Sequence, residues 1–267
     1  DSQNALGFNT MFTSFDPDLF VDTHTTNGAD YQATMTLIAT QHNKLGGPLG
    51  AWLEDTLLPE LQGGMETRGA KMCPYVYSVG STPDEGIQDF LETPRFSTGY
   101  AALHHTIGFT TEAHMLKPFD ERVEATLDFL NVLLEAGRRH AKQLNLLRKA
   151  QDLTYRERAE HPVDWTLDTT AVDSLLFKGY EARYEWSNIT ESKRLKYDHN
   201  SPWERNIAHF HTFKPTRTAP LPAAFIVPQA WRHVIERLQA NGVTWSAVPA
   251  DTTLEVLVTR IEEHTAS

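Results

Sequence analysis

Two short stretches of this 267-residue chain set side chains capable of metal or acid–base chemistry at the ends of apolar runs. In the first, Leu19-Phe20-Val21 leads into Asp22-Thr23-His24-Thr25-Thr26-Asn27-Gly28, so an imidazole stands at the C-terminal end of a buried strand, before a small polar turn. Open α/β sheets collect ligands outside the carboxyl ends of their strands, and neutral imidazole is the commonest metal ligand. A hydrogen-bonded structural histidine is the plainer alternative. In the second stretch, Thr110-Thr111-Glu112-Ala113-His114 closes another strand. A carboxylate buried there needs a cation, a metal-bound water or hydrogen-bond donors, a salt bridge to Lys or Arg being the plain alternative. His114 shares the face of Glu112 if the strand continues, in a supporting or structural role. His209-Phe210-His211 puts two imidazoles on one strand face, a geometry that can bind metal but is more often a satisfied pair. His104 and His105 are read as helix-surface or loop residues.

The elements that must position these groups follow from periodicity and turn chemistry. Asp16-Pro17 precedes a strand over 18–23, and Thr34–Thr40, rich in β-branched residues, predicts a second. Leu49, Trp52, Leu53, Leu57 and Leu61 recur at helical spacing, with Pro48 in the first turn. A strand at Tyr75–Val79, a long loop over 80–96, a short helix near 98–105 and a strand at 108–112 come next. After Pro118 a helix is expected with Val123, Leu127, Leu130 and Leu134 on one face, bent or ended at Gly137. A charged helical stretch with Leu144, Leu147 and Tyr155 follows. Beyond residue 163 the texture turns to strands at Ser174–Trp186, Arg194–Tyr197, Ile207–Phe213 and Ala223–Val227. One more helix runs from Pro228 to Asn241-Gly242, and Leu254–Val258 alternates like a strand. The fold class expected is α/β, with residues 1–162 as a catalytic segment and 163–267 as a smaller β-rich (α+β) accessory domain.

Bulk properties narrow the partners. A net charge of -11 argues against a nucleic-acid surface, which needs clustered Lys and Arg. The single Cys73 closes no intramolecular disulfide and builds no thiolate zinc cluster, so a metal must sit on His and carboxylate. No apolar run approaches the ~20 residues that cross a bilayer, and no basic-then-apolar leader is evident. The chain opens at Asp1 without methionine, which raises the expectation of a removed leader or upstream domain.

Three segments taken in order, Pro17 to Tyr31, Pro94-Arg95-Phe96-Ser97-Thr98-Gly99-Tyr100, and Glu112-Ala113-His114-Met115-Leu116-Lys117-Pro118, resemble bacterial members of the M14 zinc carboxypeptidases. The resemblance covers residues 1 to about 137, and the helix from Pro228 to Gly242 resembles the C-terminal extension of such proteins. It implies part of a mixed-sheet zinc-carboxypeptidase-like domain, with Zn2+ as cofactor, His24 as the third zinc ligand and Glu112 as the general base. A peptide is the implied substrate and the compartment periplasmic or secreted, while Arg95 is a candidate substrate contact whose plainer reading is a surface salt bridge. The family's first two zinc ligands come from an upstream His-x-x-Glu motif and its carboxylate-binding residues from an upstream Asn-Arg pair. Neither motif occurs here, and His161-Pro162-Val163-Asp164 follows Glu112 in the wrong order. The chain is therefore expected to be the C-terminal half of a longer catalytic domain, binding zinc weakly by itself. The alternatives are an inactive peptide- or glycan-binding remnant, and an N-acyl amino acid deacylase on the same fold.

Overall fold

The computed structural model describes residues 2–26, 28–258 and 260 and has a mixed α/β architecture with mixed sheets. It separates into two compact units, one of Asp16–Ala224 and one of the terminal segments 1–15 and 225–267. The change of texture expected at 162/163 lies within the larger unit, where a long helix gives way to extended strands.

The smaller unit contains α1 (Gln3–Phe15) and, near the other terminus, a helix over Arg232–Ala240. The two helices pack, with Asn9 Nδ2 donating to Asn241 Oδ1 at 3.3 Å. Gly242 takes a positive φ of 70° just after the second helix, as its Asn-Gly signal predicts. The strands expected at Ala223–Val227 and Leu254–Val258 do not form. Those residues, half-buried Val227 aside, are exposed and have no partner strand among the described residues, and an extended segment without a ladder has nothing to hold it.

In the larger unit, β1 (Leu19–Thr26), β2 (Met35–Ala39), β3 (Met72–Pro74) and the later strand Ile107–His114 form one sheet. Between β2 and β3 the chain makes α2 (His42–Leu45), α3 (Gly47–Trp52), a π-helical turn over Leu53–Leu57, and α4 (Leu58–Thr67). The predicted helix over 49–61 thus forms, with a π turn at its middle. The strand expected over Tyr75–Val79 shortens to β4 (Tyr77–Ser78), because the pairing with β2 ends at Pro74 and the chain turns away. The loop 80–96 holds a 3-10 turn at Pro83–Glu85 and β5 (Ile87–Gln88). Then come α5 (Ser97–Leu103), β6 (Ile107–His114), the 39-residue α6 (Phe119–Glu157), and β7 (Glu160–Leu167). Two long strands, β8 (Asp173–Ser187) and β9 (Ser192–Phe210), form a hairpin, and β10 (Phe213–Pro220) crosses to pair with β7. With β10 in place, the Arg232–Ala240 helix is α7.

The first sheet has order β1-β6-β2-β3, with β1 and β6 parallel and β2 antiparallel to β6. Strand alternation gives it two unlike faces. Leu19, Val21, Met35, Leu37, Ile107 and Phe109 turn to a core shared with the α3–α4 run and α6. Asp22, His24, Thr36, Glu112 and His114 occupy the other parity.

Two expectations about α6 need correction. The helix does not end or break at Gly137, where the lack of a side chain lets it run close against Leu19: a Cβ there would lie 3.1 Å from Leu19 Cδ1. The buried stripe is also not Val123, Leu127, Leu130 and Leu134, of which Val123, Leu127 and Leu134 are exposed. It is Ala125, Phe129, Val132, Leu133 and Ala136, which follow the same 3.6 period shifted around the helix. Periodicity fixes how wide an apolar stripe is, and where two stripes overlap the tertiary partner selects between them. Among the described residues no helix is long and apolar enough to cross a membrane.

Candidate functional site

The polar face of the β1–β6 pair is built by register. The parallel ladder sets Asp22 opposite Thr110, His24 opposite Glu112 and Thr26 opposite His114, so these side chains project on one side. On the far side of β6, Thr36 of β2 lies opposite Glu112. The imidazole and the carboxyl group singled out in the sequence, 88 positions apart, are therefore neighbours across two hydrogen-bonded strands. Asn27, the turn residue just beyond β1, lies outside the described residues.

A third element orients the pair. Helix α5 lies close over β6 because residue 108 is glycine: a Cβ there would approach Thr98 Cα to 3.0 Å. That approach brings Ser97, the first residue of α5, to Asp22, whose Oδ2 accepts from Ser97 Oγ at 2.6 Å. Asp22 Oδ1 in turn faces His24 Nε2 at 3.0 Å. The carboxylate stands against Nε2, which leaves Nδ1 as the ring nitrogen of His24 that a metal ion would take. Ser97 therefore does more than open a helix, and Asp22, which sequence reasoning left without a role, lies between it and the imidazole. Its two-residue spacing from His24 in a strand was the available signal.

Glu112 is half-buried, and burial pushes its carboxyl group above the usual carboxylate range. The positive field of His24 opposes that rise and the charge of Asp22 adds to it. Arg95 stands exposed in the turn two residues before Ser97 and makes no ion pair among the described residues.

The neighbouring polar cluster is structural. His114, fully buried, turns Nε2 to Asp30 Oδ1 at 3.3 Å, and its ring lies against Tyr31. Asp30 also meets His199 Nε2 and, at 3.5 Å, Lys117 Nζ. Burial resists the charge on Asp30, but the facing His114 ring, the bond from His199 and the Lys117 ammonium outweigh it, holding the carboxyl well below its usual range. This supports the structural reading of His114. His104 and His105 end α5, and their carbonyls accept from Arg148 of α6 at 3.1 Å each.

The pair His209 and His211 is split by the end of β9. Their rings stack at 4.9 Å, His209 bonding Asp89 at 2.7 Å and His211 bonding Asp173 at 2.5 Å. His211 also meets two residues that sequence reasoning passed over, His42 and Glu54. Among the described residues, these three form the one group of three or more His, Cys, Asp or Glu whose ligand atoms all lie within 4.8 Å of one another. Compared with family models, with curated proteins and with solved structures, the chain matches none.

Proposed function

We propose that the chain carries part of the active site of a zinc-dependent peptidase of carboxypeptidase type, with His24 as a zinc ligand, Glu112 as general base and a peptide as substrate. One observation carries the reading: His24 and Glu112 stand opposite each other in register on adjacent parallel strands, on the polar face of the sheet. The donor chemistry fits zinc in part. His24 offers Nδ1, held by the Ser97–Asp22 chain, while catalytic zinc takes three protein ligands and keeps one position open. Bound zinc supplies Lewis acidity, polarising a carbonyl and acidifying a water. Glu112 takes a proton from the attacking water oxygen and returns it to the departing amine nitrogen. Its raised pKa moves the carboxyl toward working pH, where a general base is most effective. Arg95, exposed beside Ser97, offers a fork to the substrate's carboxylate.

The test uses the product of the complete reading frame. Glu112→Gln should lower hydrolysis of a C-terminal peptide bond by about 10²-fold or more, the contribution typical of general bases, with zinc content unchanged. His24→Ala should lose the metal. Full activity of the Glu112 variant, or a reading frame that supplies no further imidazole and carboxylate ligands, would sink the reading.

A further inference from the structure

We propose that His42, Glu54 and His211 form a second, independent binding site for a divalent first-row transition ion of the zinc class. The ligand atoms already stand at coordination spacing. His42 Nδ1 lies 3.3 Å from Glu54 Oε2, and His211 Nδ1 lies 3.5 Å from Glu54 Oε1. Donors about 2.0–2.2 Å from a tetrahedral ion sit roughly 3.3–3.5 Å from one another, the spacing of these two contacts, and one ligand atom of each of the three residues lies within 4.8 Å of the others. Both contacts are longer than a charge-assisted hydrogen bond, which closes to about 2.7–2.9 Å.

The second nitrogen of His211 strengthens the assignment. Its Nε2 bonds Asp173 Oδ2 at 2.5 Å, so with that nitrogen protonated the lone pair points from Nδ1 toward a carboxylate. Two lone pairs facing each other repel unless a proton or a cation lies between them. Metal-bound imidazoles commonly give their other N–H to a carboxylate in this way. The surroundings are acidic: Asp55 and Asp89 join Glu54 and Asp173 around the imidazoles.

The ligands are held in place before any ion arrives. Gln41 Nε2 donates to the His211 carbonyl at 2.9 Å, and Asn43 Oδ1 accepts from Phe213 N at 2.8 Å, which locks the segment bearing His42 to the β9–β10 turn. Glu54 is delivered by the π turn between α3 and α4, a local rewinding of the helix that recurs at functional sites. Beside His42 and Glu54 lies a groove of about 510 Å³ whose lining also includes Gly50, Ala51, Trp165 and Phe213, a path by which an ion would enter. The ion would join the start of α2, the π turn and the β9–β10 turn.

Zinc and cobalt(II) binding to the full 267-residue chain, followed by calorimetry and by the d–d absorption of tetrahedral cobalt, tests the assignment. One equivalent should bind to the unaltered chain and raise its Tm. Glu54→Gln and His211→Ala should lose that equivalent, with far-UV circular dichroism checking the fold. Asp173→Asn, at a side chain that is 71% exposed, should weaken binding about 10–100-fold. His24→Ala should leave the equivalent intact, which separates this site from the one on β1. Failure of the unaltered chain to bind zinc, undiminished binding by both Glu54→Gln and Asp173→Asn, or loss of the ion only in His24→Ala would overturn the proposal.

Discussion

Asp22 has two electrostatic neighbours with opposite needs. One of its oxygens stands against His24 Nε2, and its negative charge also raises the pKa of Glu112. Asn at this position keeps an acceptor for the imidazole and removes the charge. Asp22→Asn should therefore lower the Glu112 pKa, and the acidic limb of kcat/KM against pH should move to lower pH. The sign follows from the carboxylate field: without a nearby anion, Glu112 ionises more readily. A limb that stays in place or moves upward would show that Asp22 does not act on Glu112. Ser97→Ala should loosen the same chain one bond further out, since Asp22 Oδ2 loses its 2.6 Å donor.

At the scale of elements, close approach rather than propensity decides two contacts. Gly108 lets α5 reach β6 and bring Ser97 over Asp22. Gly179 of β8 lies opposite Trp203 of β9, and a Cβ there would come within 2.5 Å of the indole ring. Trp203 packs with Tyr31, Phe177 and Ile207 in the second hydrophobic cluster. Gly179→Ala forces the ring out of that cluster and should cost about 1–3 kcal/mol, as overpacked sites do. Denaturant unfolding measures this directly, and an unchanged midpoint would mean that the hairpin twists to accommodate the methyl group.

Across the larger unit, Asp30 joins regions remote in sequence: His114 on β6, Lys117 after it and His199 on β9. Its residue surface is only 6% exposed, so its charge depends on these partners. Removing Asp30 leaves buried His114 and half-buried Lys117 without compensation, and Asp30→Asn should cost about 3–5 kcal/mol near neutral pH. The pH dependence has a definite sign. Because the folded pKa is depressed, the stabilisation is present above the unfolded carboxylate value of about 3.9 and is lost as pH falls toward the folded value. The stability of the unaltered protein should thus decline more steeply than that of Asp30→Asn below about pH 4. Equal slopes would show that Asp30 is not the group responsible.

The chemistry-bearing strands were legible because their patterns are local. Leu19-Phe20-Val21 before His24, and the period-two alternation through Glu112, assign each side chain to a face without reference to any other part of the chain. The same holds for the helix over Arg232–Ala240, marked by its Asn-Gly end. Local pattern failed where the outcome depends on a partner: the buried stripe of α6, the passage through Gly137, and the absent strands at 223–227 and 254–258. Register belongs to that second kind. Nothing in residues 19–26 or 107–114 alone dictates that His24 and Glu112 align, since a shift of two residues keeps every side chain on its own face and only packing against the neighbouring elements selects one ladder. The grouping of His42, Glu54 and His211 lies further still from the primary structure. It requires the start of α2, a rewound helix and a strand crossing between two sheets to arrive at one place, a meeting set by packing among distant segments rather than by any spacing along the chain.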